Sequence, residues 1–187
     1  MNKFLTSILC LGLLGGVGVE SMALAAETPT AESAGQYVDS STITAKVKSA
    51  LATTPNLRST NISVKTYKGV VQLSGFVDSE AEAQLAQKAT TTVMGVKEVK
   101  NSLIVASDNE TTAEFMDSAA MTAKVKSALL GVRGLNSTDI NVATYKGVIQ
   151  LSGFVDSKTQ AQLAEKTAAQ VKGADTIRND LIVKPAK

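Results

Sequence analysis

The sequence contains no histidine and no tryptophan, and its only cysteine is Cys10. Without His and Cys, the usual zinc sites and nucleophile–base pairs cannot be assembled, so neither a metal nor a cofactor is expected. Without cysteine beyond position 10, no disulfide can brace the chain even in an oxidising compartment, and each folding unit must rely on its own core. Aromatic residues make up only 4% of the chain. Stacking platforms for single-stranded nucleic acid are therefore missing. Charge of one sign is scarce too: 19 Lys and Arg stand against 17 Asp and Glu. A nucleic-acid binder needs a clustered basic face, so nucleic acid is excluded as a partner. The acidic residues form no tight group that would suit carboxylate catalysis.

The first 25 residues read as a secretory leader. Lys3 precedes an uncharged apolar run from Phe4 to Val19, and Ala23-Leu24-Ala25 is a small-x-small cleavage pattern. The run falls short of the roughly 20 residues a membrane span needs. Cleavage is expected between Ala25 and Ala26. Cys10 follows Leu9 well ahead of that point, so lipidation is not expected.

The rest of the chain is one sequence written twice. Residues 39–105 align without a gap to 117–183, with 39 identities by direct count. The offset of 78 carries Tyr67-Lys68-Gly69 onto Tyr145-Lys146-Gly147, and Thr44 to Leu51 onto Thr122 to Leu129. The expected organisation is a leader (1–25), a flexible segment (26–36), a first module (37–105), a polar acidic linker (106–114) and a second module (115–184).

Each module opens with a helix. Asp39, Ser40 or Ser41 supplies a cap, and Ile43, Val47, Ala50 and Leu51 recur at helical spacing. Tyr37 and Phe115 stand just before the caps, where a hydrophobic staple would sit. Alternation over Ile62, Val64 and Thr66 predicts a strand, and Tyr67-Lys68-Gly69 predicts a hairpin. On the return strand Val71, Leu73, Gly75 and Val77 share the core face. Gly75 there predicts the close approach of a helix backbone, or a bulge. Ser79 with Glu82, and Ser157 with Gln160, form capping boxes for a second helix. Its Leu85, Ala86, Ala89 and Val93 are expected to face the sheet, with Gly95 and Gly173 as left-handed C-caps. A last strand carries Val99, Asn101, Leu103 and Val105. The order α-β-β-α-β predicts an α+β fold: two tandem modules, each a three-stranded mixed sheet with two helices on one face.

The pattern Gly69-Val70-Val71-x-Leu73-x-Gly75-x-Val77, the capped helix ending in Gly95-Val96, and Val99-x-Asn101-x-Leu103 resemble the BON-domain family. The second copy matches through Gly147, Val148, Leu151, Gly153, Val155, Gly173, Asn179 and Leu181, with Ala174 in place of Val96. The resemblance covers essentially the whole chain. It implies a periplasmic protein linked to osmotic and envelope stress, without enzymatic activity. It also implies phospholipid binding, adaptor roles at membranes, or chaperone-like help to exported envelope proteins.

Two surfaces follow as candidates. Val70 and Phe76, with Val148 and Phe154, lie on the strand face opposite the core stripe. They form an apolar strip suited to an unfolded client or partner protein, or to packing of the two sheets on each other. Lys124, Lys126, Leu130 and Arg133 form a candidate contact for anionic phospholipid. Each module has only a small positive excess, so such binding would be weak and salt-sensitive. The repeated Ser74/Ser152, Lys68/Lys146 and Asp78/Asp156 are the only polar sets that could argue for catalysis. Asp78 is explained more simply by its place beside a helix N-terminus.

Overall fold

The computed structural model describes residues 39–106 and 112–185. The leader, the Ala25–Ala26 cleavage point and Tyr37 lie outside the described residues. In the first module the elements are α1 (Ser40–Thr53), β1 (Ile62–Tyr67), β2 (Val70–Val77), α2 (Glu80–Thr91) and β3 (Glu98–Val105). The second repeats them as α3 (Thr112–Leu130), β4 (Ile140–Tyr145), β5 (Val148–Val155), α4 (Lys158–Ala169) and β6 (Thr176–Val183). A short 3-10 turn precedes β1 and β4. No helix among the described residues is long and apolar enough to cross a membrane.

Each sheet has its hairpin strands antiparallel and its last strand parallel to the middle one, in the orders β1-β2-β3 and β4-β5-β6. The fold is therefore the mixed-sheet α+β module that the element order predicts. The hairpin is closed by two residues in left-handed backbone, Lys68 at φ 48° and Gly69 at φ 85°. This is the type I′ geometry that matches strand twist, and it requires positive φ at both positions. One core lies between the helices and the sheet in each module. Ile43, Val47 and Leu51 of α1 meet Val71, Leu73 and Val77 of β2 and Ala83 and Ala86 of α2. Val125, Leu129, Ile149, Leu151, Val155, Ala161 and Ala164 repeat it.

Several local expectations change. Phe115 does not staple the entrance of a helix, because α3 begins at Thr112, within the stretch read as linker, and Phe115 rides on its outside. Leu85 is exposed rather than sheet-facing; Ala83, Ala86 and Thr90 make the inner row of α2. Gly95 has the expected positive φ but sits in a turn after the helix, where Val96 N donates to Val93 O. Val105 and Val183 end their strands exposed.

Gly75 meets backbone, but of a strand entrance rather than a helix. A Cβ there would lie 2.0 Å from the Asn61 carbonyl oxygen, and the residue holds φ at +122°.

The capping boxes are half-formed and put to another use. Ser79 Oγ accepts from Glu82 N at 3.3 Å. The buried Glu82 carboxylate does not return to Ser79; it accepts from Arg58 N and Asp78 N, each at 2.8 Å. It thus ties the loop after α1 to the start of α2. In the second module Gln160 Oε1 accepts from Asp156 N, while Gln160 Nε2 donates to Gly134 O. The residue type follows the main-chain group to be satisfied: an N–H needs an acceptor and a carbonyl needs a donor.

Candidate functional site

The strip residues Val70, Phe76, Val148 and Phe154 face the other module. The two sheets pack with their helix-free faces together, and this face-to-face contact covers both strips. Tyr67 lies against Phe154 with ring centroids 5.7 Å apart, and Phe76 stacks on Tyr145 at 5.3 Å. Phe154 is 6% exposed; Val70, Phe76 and Val148 are half-buried. Of the two uses anticipated for the strip, sheet-on-sheet packing is the one this structure adopts. A client could reach the strip only by parting the modules.

The centre of this contact is polar, which the apolar reading of the strip misses. Gln72 and Gln150 are both 1% exposed. Gly153 N donates to Gln72 Oε1 and Gly75 N donates to Gln150 Oε1, both at 2.8 Å. The amide nitrogens reach carbonyls of the last strands: Gln72 Nε2 donates to Asp180 O and Gln150 Nε2 to Ser102 O, both at 2.6 Å. Ser152 Oγ donates to Ser74 Oγ at 2.7 Å. The result is a reciprocal clasp between the copies. Two Gly N–H groups that ladder pairing leaves free are satisfied by side chains of the opposite module, so their burial carries no unpaired-donor penalty. A signal was available in the sequence. Gln in the middle of YKGVVQLSGF and YKGVIQLSGF, flanked by apolar and small residues in both copies, is a polar group on a face with no other use for it.

Lys184 adds an electrostatic tie. Its Nζ lies 3.0 Å from both Asp139 Oδ2 and Asp156 Oδ1, and 5.6 Å from the centroid of Tyr67 in the other module. The hydrogen bond to Asp156, together with the charge of Asp139, holds this ammonium above the ordinary lysine range, with desolvation opposing. Lys65 Nζ also crosses between modules, to Thr138 O at 3.1 Å.

The second candidate surface lies outside. Lys124, Lys126, Leu130 and Arg133 are all exposed, Leu130 at 69%. Among the described residues none of the three cations has a carboxylate within ion-pairing distance. Sequence reading missed that this surface extends along α3. Met116 is 66% exposed and Phe115 63%. At 100° per residue Met116, Ala123 and Leu130 fall on one face of the 19-residue helix. The equivalent positions of α1 after Met116 are Ala45 and Ala52. Met116 corresponds to Val38, outside the described residues, so the difference within the described helices is Leu130, 69% exposed, where α1 carries Ala52. The repeated polar sets of the two modules do not assemble into one group. Ser74 and Ser152 are buried in the clasp, Asp78 pairs with Arg58, and Lys68 and Lys146 lie near tyrosine rings of their own modules. No group of three metal-ligating side chains is found among the described residues.

Comparison with known proteins follows the same outline. The model of the BON domain matches residues 39–107 and again 117–185. Osmotically-inducible protein Y of Escherichia coli is 43% identical over 151 residues, covering 80% of this chain and 75% of that protein. The outer membrane lipoprotein DolP of Haemophilus influenzae is 26% identical over 169 residues, covering 90% of this chain and 85% of the lipoprotein. Among solved structures, CdsD, a structural protein of the type III secretion system of Chlamydia trachomatis, matches 76% of this chain and 92% of its own. It does so at 11% identity and a TM-score of 0.33, too low to bear on arrangement or function. With two matched domains spanning most of its length, the chain belongs to the BON-domain family.

Proposed function

We propose that the chain is a periplasmic binding protein of the osmotic and envelope stress response. In this reading it acts without catalysis, as an adaptor or chaperone-like partner for exported envelope proteins. The names of its relatives, one osmotically inducible and one an outer membrane lipoprotein, supply the setting. The observation that carries the binding role is the exposed row Met116–Ala123–Leu130 on α3. Side chains as large as Met116 and Leu130 left in water on one helix are what a contact surface needs. The strip between the sheets serves cohesion in this reading, so clients meet α3 rather than Phe76 and Phe154.

The flanking Lys124, Lys126 and Arg133 favour a second reading, weak attachment to anionic phospholipid. Each cation near such a surface contributes about 1 kcal/mol, screened by salt. One experiment separates the two. Aggregation of an unfolded outer-membrane protein is followed with wild-type chain and with Met116→Asp/Leu130→Asp. Co-sedimentation with phosphatidylglycerol vesicles is measured in parallel from low to high salt. The adaptor reading expects suppression by the wild type that the variant loses, with little vesicle binding. Salt-sensitive vesicle binding lost in Lys126→Glu/Arg133→Glu supports the lipid reading. Suppression equal in wild type and the α3 variant, without vesicle binding, removes α3 from both.

A further inference from the structure

Each module offers the other the same groups: Tyr67, Gln72, Ser74, Gly75 and Phe76 recur as Tyr145, Gln150, Ser152, Gly153 and Phe154. The clasp they form recognises main chain: two Gly N–H groups and the carbonyls of Ser102 and Asp180. Main-chain recognition is indifferent to which chain supplies the partner module. Every contact of the clasp can therefore be made between two chains as well as within one.

Two positions where the copies differ decide which modules pair. Ser102 of β3 corresponds to Asp180 of β6. Both lie at the Gln pair: Gln72 Nε2 donates to Ser102 Oγ at 3.2 Å, and Gln150 Nε2 to Asp180 Oδ2 at 2.7 Å. Pairing a first with a second module brings one carboxylate to the centre. Pairing two second modules would bring two Asp180 carboxylates there, each with its own Arg178 at 3.2 Å, in place of one Asp180 and the smaller Ser102 hydroxyl that the Gln pair accommodates. Ala106 corresponds to Lys184, whose ammonium faces the Tyr67 ring across the contact. Pairing two first modules would lose this cation. The asymmetry selects the pairing of unlike modules.

We propose that this face also binds a second copy of the chain, by reciprocal exchange: the first module of each chain clasps the second module of the other. Such an exchange closes with two-fold symmetry and requires no new contact surface. Within one chain the modules meet at an effective concentration of about millimolar, so exchange populates when chains fold at comparable concentration. The exchanged dimer carries two α3 faces, which goes beyond the binding role proposed above and does not depend on it.

The test uses the full chain with Cys10→Ser, so that no native thiol interferes. Ser74→Cys and Ser152→Cys are introduced together, because the two Oγ atoms lie 2.7 Å apart across the clasp. The protein is unfolded, refolded under oxidising conditions at about 10 μM and at about 1 mM, bracketing the effective concentration, and mapped by mass spectrometry. The expected result is an internal 74–152 bond in a monomer at low concentration. At high concentration a doubly bonded dimer should rise at least severalfold, again through 74–152 bonds. Ser152→Cys alone should give little dimer. A monomer at both concentrations overturns the exchange, and dimerisation of the Ser152→Cys single variant as readily as the double overturns the unlike pairing. Should the cysteine variants fail to fold, unlabelled and 15N-labelled wild type are refolded together at about 1 mM and diluted. Dimers of mixed mass that survive dilution are expected, and their absence overturns the proposal.

Discussion

At Gly75 the backbone holds φ +122°, and a methyl group would stand 2.0 Å from a main-chain oxygen. Neither partner can yield, because the oxygen belongs to the entrance of the neighbouring strand. Gly75→Ala is expected to destabilise the protein by more than about 3 kcal/mol, beyond the usual range of single substitutions. Gly134→Ala should cost only about 1 kcal/mol, because it has positive φ but nothing within 4 Å. Urea denaturation of the two variants checks the contrast. Glu82 gives a second residue-scale prediction. Glu82→Gln would set an amide N–H against the N–H of Arg58 or Asp78, with an expected loss of about 1–3 kcal/mol. Gln160→Glu fails for the opposite reason, with a carboxylate oxygen facing the carbonyl of Gly134. Both losses should be visible as lowered urea midpoints at neutral pH. That a residue at 82 caps a helix was legible three residues after Ser79. That it reaches Arg58 was not, because the loop after α1 arrives there only when α1 packs on the sheet.

At the scale of elements, Asn101 and Asn179 join the last strand of each module to the helix that precedes it. Asn101 Nδ2 donates to Ala83 O and Gln87 Oε1, and its Oδ1 accepts from Leu103 N. Asn179 repeats the pattern with Ala161 O, Glu165 Oε2 and Leu181 N. An aspartate in place of Asn101 would aim an oxygen at the Ala83 carbonyl. Asn101→Asp is therefore expected to lower stability by about 1–3 kcal/mol. Hydrogen exchange should localise the loosening to β3 and the first turns of α2. The hairpins were readable because I′ turns are built from neighbouring residues. The inner face of α2 was misread at Leu85 because the stripe is a small-residue one, set by Ala83, Ala86 and Thr90. Small residues let α2 lie close to the sheet, and hydrophobicity alone ranks Leu85 above them. The early start of α3 was hidden for a related reason: Thr112 to Glu114 is polar and resembles linker, yet the helix runs through it.

Across the whole molecule, the clasp and Lys184 decide whether two modules behave as one body. Gln72→Leu leaves the buried Gly153 N–H without its acceptor and removes the donor to the Asp180 carbonyl and the Ser102 hydroxyl, a loss of about 1–3 kcal/mol at the contact. Calorimetry is expected to show a single unfolding transition for the wild type and two for Gln72→Leu/Gln150→Leu. Lys184 adds a dependence on pH. Its folded-state pKa is raised above 10.5 by Asp156 and Asp139. A raised lysine pKa contributes stability in full below the unfolded value, and that contribution disappears as pH climbs through the folded value. The melting temperature gap between wild type and Lys184→Met should therefore hold steady around neutral pH and close only as pH climbs through the raised folded value. A gap that widened at alkaline pH would contradict the ion pairs seen here.

The sequence alone determined the duplication, the α-β-β-α-β order and the core stripes, because periodicity, caps and turns are written in residues close together along the chain. It also carried the family pattern in its glycines and strand residues. Only the tertiary structure decided what the second sheet face is for. Val70 and Phe76 look alike to a reader whether they meet water, a client or Tyr145 of the second copy. The choice depends on the fit of two whole sheets, made by groups 75 to 108 residues apart. The strip that could have met a partner or the other sheet joins the two modules, while Met116 and Leu130 on α3 stay exposed.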